Sequence, residues 1–270
     1  MKLRSKYFLF FFPLLLLISL AGFTCALTSD EIGMTLLAIK EKPVGERIAF
    51  WTERFIGTPY DEDPLGEYVT KATIVADERV DCMYLTFRAV ELALSKTPEE
   101  AVQIALEKRF HSRGILQDGK VTNYEGRFDY GEDMIPSGKW GRDVTGEMGR
   151  TIRIKGSRGR DFYEILPPQE IKQGMKKLQS GDIFFFMTRP EKRTVNEAVG
   201  HIGIIKVEGN SALKEIYLIH AGGSKSKGGS VKKVLLQDYI SRMPFVGVII
   251  TRIEERTTGR MERRNIGRLE

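Results

Sequence analysis

The chain has 270 residues, of which 41% are hydrophobic and 29% charged, with a formal net charge of +6. This length fits one large domain with its own core, and two cysteines are too few for a fold held by a disulfide framework. The first 26 residues hold three basic residues and no acidic one, so 39 bases face 36 acids in the remainder. This even balance is no argument for a nucleic-acid partner, and we predict none.

The N-terminus is typical of an export signal. A basic start precedes an apolar run over residues 7–20, and small residues surround Cys25. The run is shorter than the ~20 residues that a membrane-spanning helix needs. We therefore predict a signal peptide over 1–26 that is cleaved, no stable transmembrane segment after cleavage, and export to the periplasm. Acylation of Cys25 as a lipoprotein and an uncleaved anchor are the alternatives.

We predict one domain over 27–253 and a charged C-terminal tail over 254–270. In the first half, capping residues precede apolar residues at helical spacing, which predicts helices over 30–41, 44–56, 82–94 and 98–108. The pattern is weak from 111 to 168. Beyond it, β-branched and aromatic residues predict strands, with one short helix at 237–243; the strands cover 182–187, 201–207, 213–220 and 245–253. The glycines of 222–229 predict a flexible loop.

Cys82 is the only cysteine outside the predicted signal. It stands at the start of the third predicted helix, where Asp81 is the expected N-cap. The helix dipole and the free backbone N–H groups favour a thiolate at this position, and the N–H of Cys82 is placed to support an oxyanion. A lone cysteine is more often a small buried apolar residue. Its position alone therefore leaves core and nucleophile both open.

Two of the three histidines lie on consecutive predicted strands. A turn centred on Asn210 and Ser211 would pair residues whose numbers sum to 421, which places His201 directly opposite His220. A shift of one residue would send the two side chains to different faces of the sheet. A thiol with one histidine as base, and a second histidine to orient the first, is an arrangement for nucleophilic catalysis.

These residues lie in motifs that resemble those of the NlpC-like cysteine peptidase superfamily, and more narrowly its N-acetylmuramoyl-L-alanine amidase-like branch. The superfamily motifs are IGTPY at 56–60, VDC at 80–82, GDI at 181–183, GHIG at 200–203 and HAGGS at 220–224. The segments similar to the branch are GRFDYGEDMI at 126–135, GRDVT at 141–145, QDYI at 237–240 and GVIITR at 247–252. The resemblance covers about residues 49–253.

The resemblance implies an α+β, papain-like NlpC-type fold, in which a helical N-terminal part carrying the nucleophile helix packs on an antiparallel β-sheet. It implies that Cys82 is the nucleophile, His201 the general base and His220 the residue that orients the base. It also implies that Tyr60 and Asp81 contribute to substrate binding. The implied chemistry needs neither a metal nor an organic cofactor, and the histidines and the thiol show no paired spacing typical of zinc ligands.

The implied reaction is hydrolysis of the amide between N-acetylmuramic acid and L-alanine in peptidoglycan or its turnover fragments. One alternative is an endopeptidase that cuts γ-D-glutamyl-diamino acid bonds of the stem peptide. Another is a cell-wall-binding protein without catalysis, because residues 83–87 read MYLTF and depart from the family pattern after the cysteine. The third histidine, His111, lies outside every motif, and we predict a surface residue there.

Overall fold

The computed structural model describes residues 27–193, 197–210, 213–224 and 227–255. The predicted signal over 1–26, with Cys25, lies outside the described residues. The same holds for residues 256–270 of the predicted tail. Within the described ranges, no helix is both long enough and apolar enough to cross a membrane.

Helices dominate the first half of the chain, and shorter ones recur between the strands of the second half. In chain order they are α1 (Ser29–Ile39), α2 (Val44–Arg54), α3 (Glu67–Thr70), α4 (Cys82–Leu94), α5 (Pro98–Lys108), α6 (Gly131–Met134), α7 (Thr145–Met148), α8 (Pro168–Gly174) and α9 (Leu236–Arg242). Short 3-10 helices cover Tyr124–Gly126, Met175–Lys177 and Pro190–Lys192. This order of elements, with the strands below, confirms the predicted α+β class.

The strands form one large sheet and two small hairpins. They are β1 (Leu116–Gln117), β2 (Lys120–Val121), β3 (Arg142–Asp143), β4 (Ile152–Lys155), β5 (Phe162–Ile165), β6 (Ile183–Met187), β7 (Val199–Asn210), β8 (Leu213–Ser224), β9 (Gly228–Leu235) and β10 (Gly247–Arg252). The large sheet has the order β3-β10-β6-β7-β8-β9, and its neighbouring strands pair antiparallel. The pairs β1–β2 and β4–β5 are the hairpins, and they lie in the segment where the sequence pattern was weak.

Three helix starts confirm the capping signals in the sequence. Thr28 and Glu31 form a capping box at the start of α1. The side chain of Thr97 accepts a hydrogen bond from the third residue of α5. At the start of α4, Asp81 Oδ1 accepts the backbone N–H of Tyr84 at 2.7 Å. These signals are local in the chain, and so a single sequence is enough to locate the helix starts.

Helix α4 is buried on all sides over residues 84–93. It contacts α2, α5, β7 and β8. Two charged residues lie within it: Arg88 pairs with Asp77 at 3.0 Å, and Glu91 pairs with Arg109 at 2.6 Å. Buried charges persist only with such partners. The helix that begins at Cys82 is therefore held from every direction.

The large sheet is covered on both faces. Alternate residues of β6 belong to different hydrophobic clusters, Ile183 and Phe185 to one, Phe184 and Phe186 to the other. The first cluster includes residues of α1, α2, α4 and α5, and the second includes residues of α7, α8 and α9. Burial on both faces explains why β6 is a continuous apolar run without alternation.

The register of β7 on β8 corrects the prediction for the two histidines. Ile204 pairs with Ile219, and Asn210 pairs with Leu213, so the paired numbers sum to 423 and not to 421. Ser211, on which the prediction centred its turn, lies outside the described residues. His201 is therefore not directly opposite His220.

Strand β9 corrects a second prediction. Residues 222–229 were expected to form a flexible loop, but 222–224 belong to β8 and 228–229 begin β9, with 225–226 outside the described residues. The strand continues to Leu235 at the edge of the sheet, so the predicted short helix follows β9 and not β8. Lys232 and Lys233 interrupt its apolar pattern, and lysines are common on edge strands, where they discourage pairing with another chain.

Candidate active site

The thiol of Cys82 lies at the point where α4 meets the sheet. Cys82 is the first residue of α4, and its side chain is half-buried. Its sulfur is close enough to the backbone N–H groups of Ile202 and of Cys82 itself for both to stabilise a thiolate. Ile202 follows His201 on β7. The fold thus brings the sulfur to the strand that carries the first histidine.

Burial opposes the effect expected from the helix start. It raises the pKa of the Cys82 thiol to about 12, and the negative charge of Asp81 adds to the rise. The two backbone hydrogen bonds act in the other direction but are weaker. The resting site therefore holds a neutral thiol and not the thiolate that the helix position alone favours.

The two histidines contact each other across the β7–β8 pair. Nε2 of His201 lies 2.9 Å from Nδ1 of His220, and the ring planes are at 89° to each other. Continuing the observed register would put His201 level with Gly222, two residues beyond His220. A shift by two residues keeps a side chain on the same face, so the predicted contact occurs by a diagonal route.

A buried carboxyl group holds the start of β7. Oε1 of Glu132 accepts the N–H of Ala198 at 2.9 Å, and Oε2 accepts the N–H of Val199 at 3.2 Å. Ser157 Oγ donates to Oε1 at 3.2 Å. A β-bulge in the pairing with β6 follows at once, directly before His201. Bulges re-aim side chains, so Glu132 fixes the backbone from which His201 projects.

Glu132 was missed at the level of the sequence. It lies inside the segment 126–135 that supported the resemblance, yet nothing in its spacing points to β7. Its partners are 66 and 67 residues away in the chain.

An aromatic wall borders the histidine pair. The ring of Tyr239, on α9, lies 5.0 Å from that of His220 and 6.4 Å from that of His201. Phe245 stacks on His201 with ring centres 6.2 Å apart, and Phe186 lies 5.8 Å away. Tyr239 belongs to the segment QDYI noted in the sequence, which was the only signal for it.

This environment keeps both imidazoles neutral. Burial lowers the pKa of His201 to about 3, with a further contribution from His220. Burial also lowers the pKa of His220 to about 4, and the positive charge of Lys232, its partner on β9, adds to the effect. At neutral pH the pair therefore contains two neutral rings, one donating a hydrogen bond to the other.

Tyr60 is a further residue near the thiol. It forms a parallel bridge with Val80, and its N–H donates to the carbonyl of Gly229 at 2.9 Å. The phenol is half-buried; burial raises its pKa, and the charges of Cys82 and Asp81 add to the rise. Tyr60 thus lies within electrostatic range of the thiol.

The structure brings together the regions that carry Cys82, His201, His220 and Tyr60. Among the described contacts, the thiol has no hydrogen bond to either imidazole. The carboxyl group of Asp81 caps α4. Within the described ranges, no group of three or more His, Cys, Asp or Glu residues could hold a metal. His111 is exposed, with its ring 4.5 Å from that of Phe128, as expected for a surface residue.

The arrangement is suited to acyl transfer. His201 uses Nε2 for His220, which leaves Nδ1 as the nitrogen available to a nucleophile or to substrate. The other part is a thiol at a helix start, where the backbone N–H of Cys82 lies close to the sulfur and can support a developing oxyanion.

Comparison with known proteins identifies the fold at low sequence identity. No family model matches the chain, and no curated protein matches it. An N-acetylmuramoyl-L-alanine amidase from Bacteroides uniformis has 20% identity and a TM-score of 0.58, over 78% of this chain and 99% of that one. A Legionella pneumophila protein described by the family model DUF1460 has 14% identity and a TM-score of 0.61, over 82% and 93%. A Bacteroides fragilis protein described as a candidate xylanase has 20% identity and a TM-score of 0.54, over 76% and 100%. The chain shares the α+β fold of these proteins.

Proposed function

We propose that the protein is a cysteine amidase that hydrolyses the bond between N-acetylmuramic acid and L-alanine in peptidoglycan or its fragments. The proposal rests on the contact between His201 and His220. This contact lies close to Cys82, because the N–H of Ile202, the residue after His201, reaches the Cys82 sulfur. The choice of bond follows the sequence resemblance and the name of the Bacteroides uniformis neighbour. The papain-like NlpC-type description of the fold and export to the periplasm belong to the same proposal.

The catalytic cycle begins with a neutral thiol and a neutral base. In this proposal His201 Nδ1 takes the proton of Cys82 as the sulfur attacks the carbonyl carbon of the lactyl group. The N–H of Cys82 and the phenol of Tyr60 support the oxyanion. The C–N bond then breaks, and the proton passes from His201 to the amine of L-alanine. Water, deprotonated by His201, resolves the thioester and restores the thiol.

His220 has the orienting role in this cycle. For Nδ1 of His201 to accept a proton, its Nε2 must carry one, which it donates to Nδ1 of His220. The 2.9 Å contact therefore selects the tautomer that leaves the correct nitrogen free. Tyr60 and Asp81 are the residues that we assign to substrate binding.

Incubation with a defined muropeptide tests the reaction. We expect mass spectrometry to find the free sugar and an intact stem peptide after incubation with the wild-type protein. A shortened peptide still attached to the sugar would instead identify a γ-D-glutamyl-diamino acid endopeptidase. Cys82→Ala and His201→Ala should lose activity, the latter by about 10²–10⁴-fold, which is the usual contribution of a general base.

A wall-binding protein without catalysis is the second candidate. The raised pKa of the Cys82 thiol favours it, since a thiol of this kind is a poor nucleophile without assistance. This candidate predicts that wild-type protein and Cys82→Ala bind muropeptides with equal affinity and that neither turns them over. Turnover by the wild type alone would exclude it.

A further inference from the structure

The diagonal position of His220 requires its imidazole to lean along β8. In the register of β7 and β8, Gly203 is level with His220 when the pairing is continued from Ile204 and Ile219. Residues on the diagonal are about 7–8 Å apart, against about 5 Å for those directly opposite. The ring of His220 must therefore reach over the next residue on its own face of the strand, which is Gly222.

The ring lies where a side chain of residue 222 would be. A β-carbon built on Gly222 would be 2.9 Å from Cε1 of His220 and 3.3 Å from Nδ1. The first distance is shorter than real β-carbon contacts, so the ring would have to move. Nδ1 is the atom that contacts Nε2 of His201. Any displacement therefore acts directly on the hydrogen bond of the pair.

Backbone geometry does not require glycine at this position. The φ angle of Gly222 is outside the positive range that L-residues rarely adopt, unlike that of Gly228 at +68°. Gly222 pairs regularly with Ser230 on β9. Glycine weakens a strand interior, and it often marks a place where another group approaches closely. Here the approaching group is the imidazole two residues earlier.

We propose that Gly222 is a positioning residue, whose missing side chain leaves the space in which His220 orients His201. The expected effect of Gly222 on turnover rests on the proposed function. The expected effect of Gly222 on the contact between the two histidines does not depend on that function. The two consequences are therefore measured separately.

The first experiment is a double-mutant cycle on kcat with a defined muropeptide. We expect Gly222→Ala and His220→Ala to lower kcat by the same factor, and the double variant to be no worse than either. If Gly222 acted only through the stability of β8, its effect would persist without the imidazole, and the losses would multiply to within about twofold. That result would overturn the proposal. Gly146→Ala is the matched control, since a β-carbon there meets nothing within 4 Å.

The second experiment reads the histidine contact itself by NMR. The chain has three histidines, so His111→Gln leaves only the pair to assign. We expect a protected imidazole N–H proton in this background and in its Gly146→Ala variant, and its loss in the Gly222→Ala and His220→Ala variants. If the proton persists unchanged in Gly222→Ala, the positioning role is refuted. If the N–H proton is lost in these two variants as expected, but the wild-type protein turns over no muropeptide, the positioning role is supported and the proposed amidase activity is refuted.

Discussion

At the scale of single residues, environment outweighs position in the chain. The start of α4 favours a thiolate, but burial raises the pKa of the Cys82 thiol more than the helix end and the two backbone N–H groups lower it. The imidazole of His201 is neutral for the same reason. In the proposed mechanism, such a pair works by proton transfer during attack, and not by an ion pair formed in advance. The difference between the two mechanisms is measurable in the free protein.

We expect alkylation of Cys82 by iodoacetamide to rise with pH without a plateau near neutrality. Because the pKa of the thiol is raised to about 12, the thiolate fraction increases about tenfold per pH unit from pH 7 to 10. His201→Ala should leave this profile unchanged, although we expect it to lower turnover by about 10²–10⁴-fold. Rates are measured by mass spectrometry, with Cys82→Ser as the blank. A plateau at neutral pH that disappears in His201→Ala would instead demonstrate a preformed ion pair.

At the scale of elements, the candidate site depends on how β7 begins. The strand enters through two N–H groups held by Glu132, passes a bulge and then presents His201. Helix α6, which carries Glu132, packs on β7. The segment 126–135 thus supports the site without supplying one of its reacting groups.

Replacing Glu132 by Gln should destabilise the protein by about 1–3 kcal/mol. Each oxygen of the Glu132 carboxylate accepts one backbone N–H, from Ala198 or from Val199. The amide of Gln has only one oxygen, so one of these buried N–H groups would lose its acceptor. Urea unfolding measures the change. Glu164→Gln is the matched control, because the side chain of Glu164 is exposed and forms a surface ion pair with Arg153; we expect a change within about 0.5 kcal/mol. Equal stability of the two variants would contradict the role of Glu132.

At the scale of the whole molecule, the sequence predicts two kinds of feature. One kind depends on residues close together in the chain, and the other is unchanged when the strand register shifts by two residues. Capping residues locate the long helices, and the class of fold follows from their order. The histidine contact was predicted from a pairing in which residue numbers sum to 421, and it persists because the observed pairing differs from it by two residues. A shift of one would have separated His201 from His220.

The remaining features depend on contacts that no local pattern records. Arg88 and Glu91 are charged residues within α4, and each is buried against a partner from another segment. The sequence pattern did not predict β9, because Lys232 and Lys233 interrupt the apolar residues and an edge strand need not be apolar. Glu132 has no signature, since its partners are donated by the backbone of a distant strand.

The buried histidines couple the site to the stability of the whole chain. The pKa of His201 is lowered to about 3 and that of His220 to about 4, against an ordinary value of about 6.5 in the unfolded chain. Below pH 6.5 the unfolded chain therefore binds protons that the folded protein does not. The free energy of unfolding should fall with decreasing pH by up to about 1.4 kcal/mol per pH unit for each histidine.

Urea unfolding between pH 7 and 5 measures this fall, because most carboxyl groups titrate below that window. The variant with His201→Gln and His220→Gln should lose most of the dependence, since it retains neither buried imidazole. His111→Gln removes an exposed ring, and we expect the slope of the wild type to persist in it. If the double variant and the wild type lost stability in parallel as the pH fell, the two imidazoles would bind protons as readily in the folded protein as in the unfolded chain, and their lowered pKa values would be refuted. A wild type that gained stability relative to the double variant as the pH fell would instead indicate a charged imidazole in the folded protein, and would favour the ion-pair mechanism over proton transfer during attack.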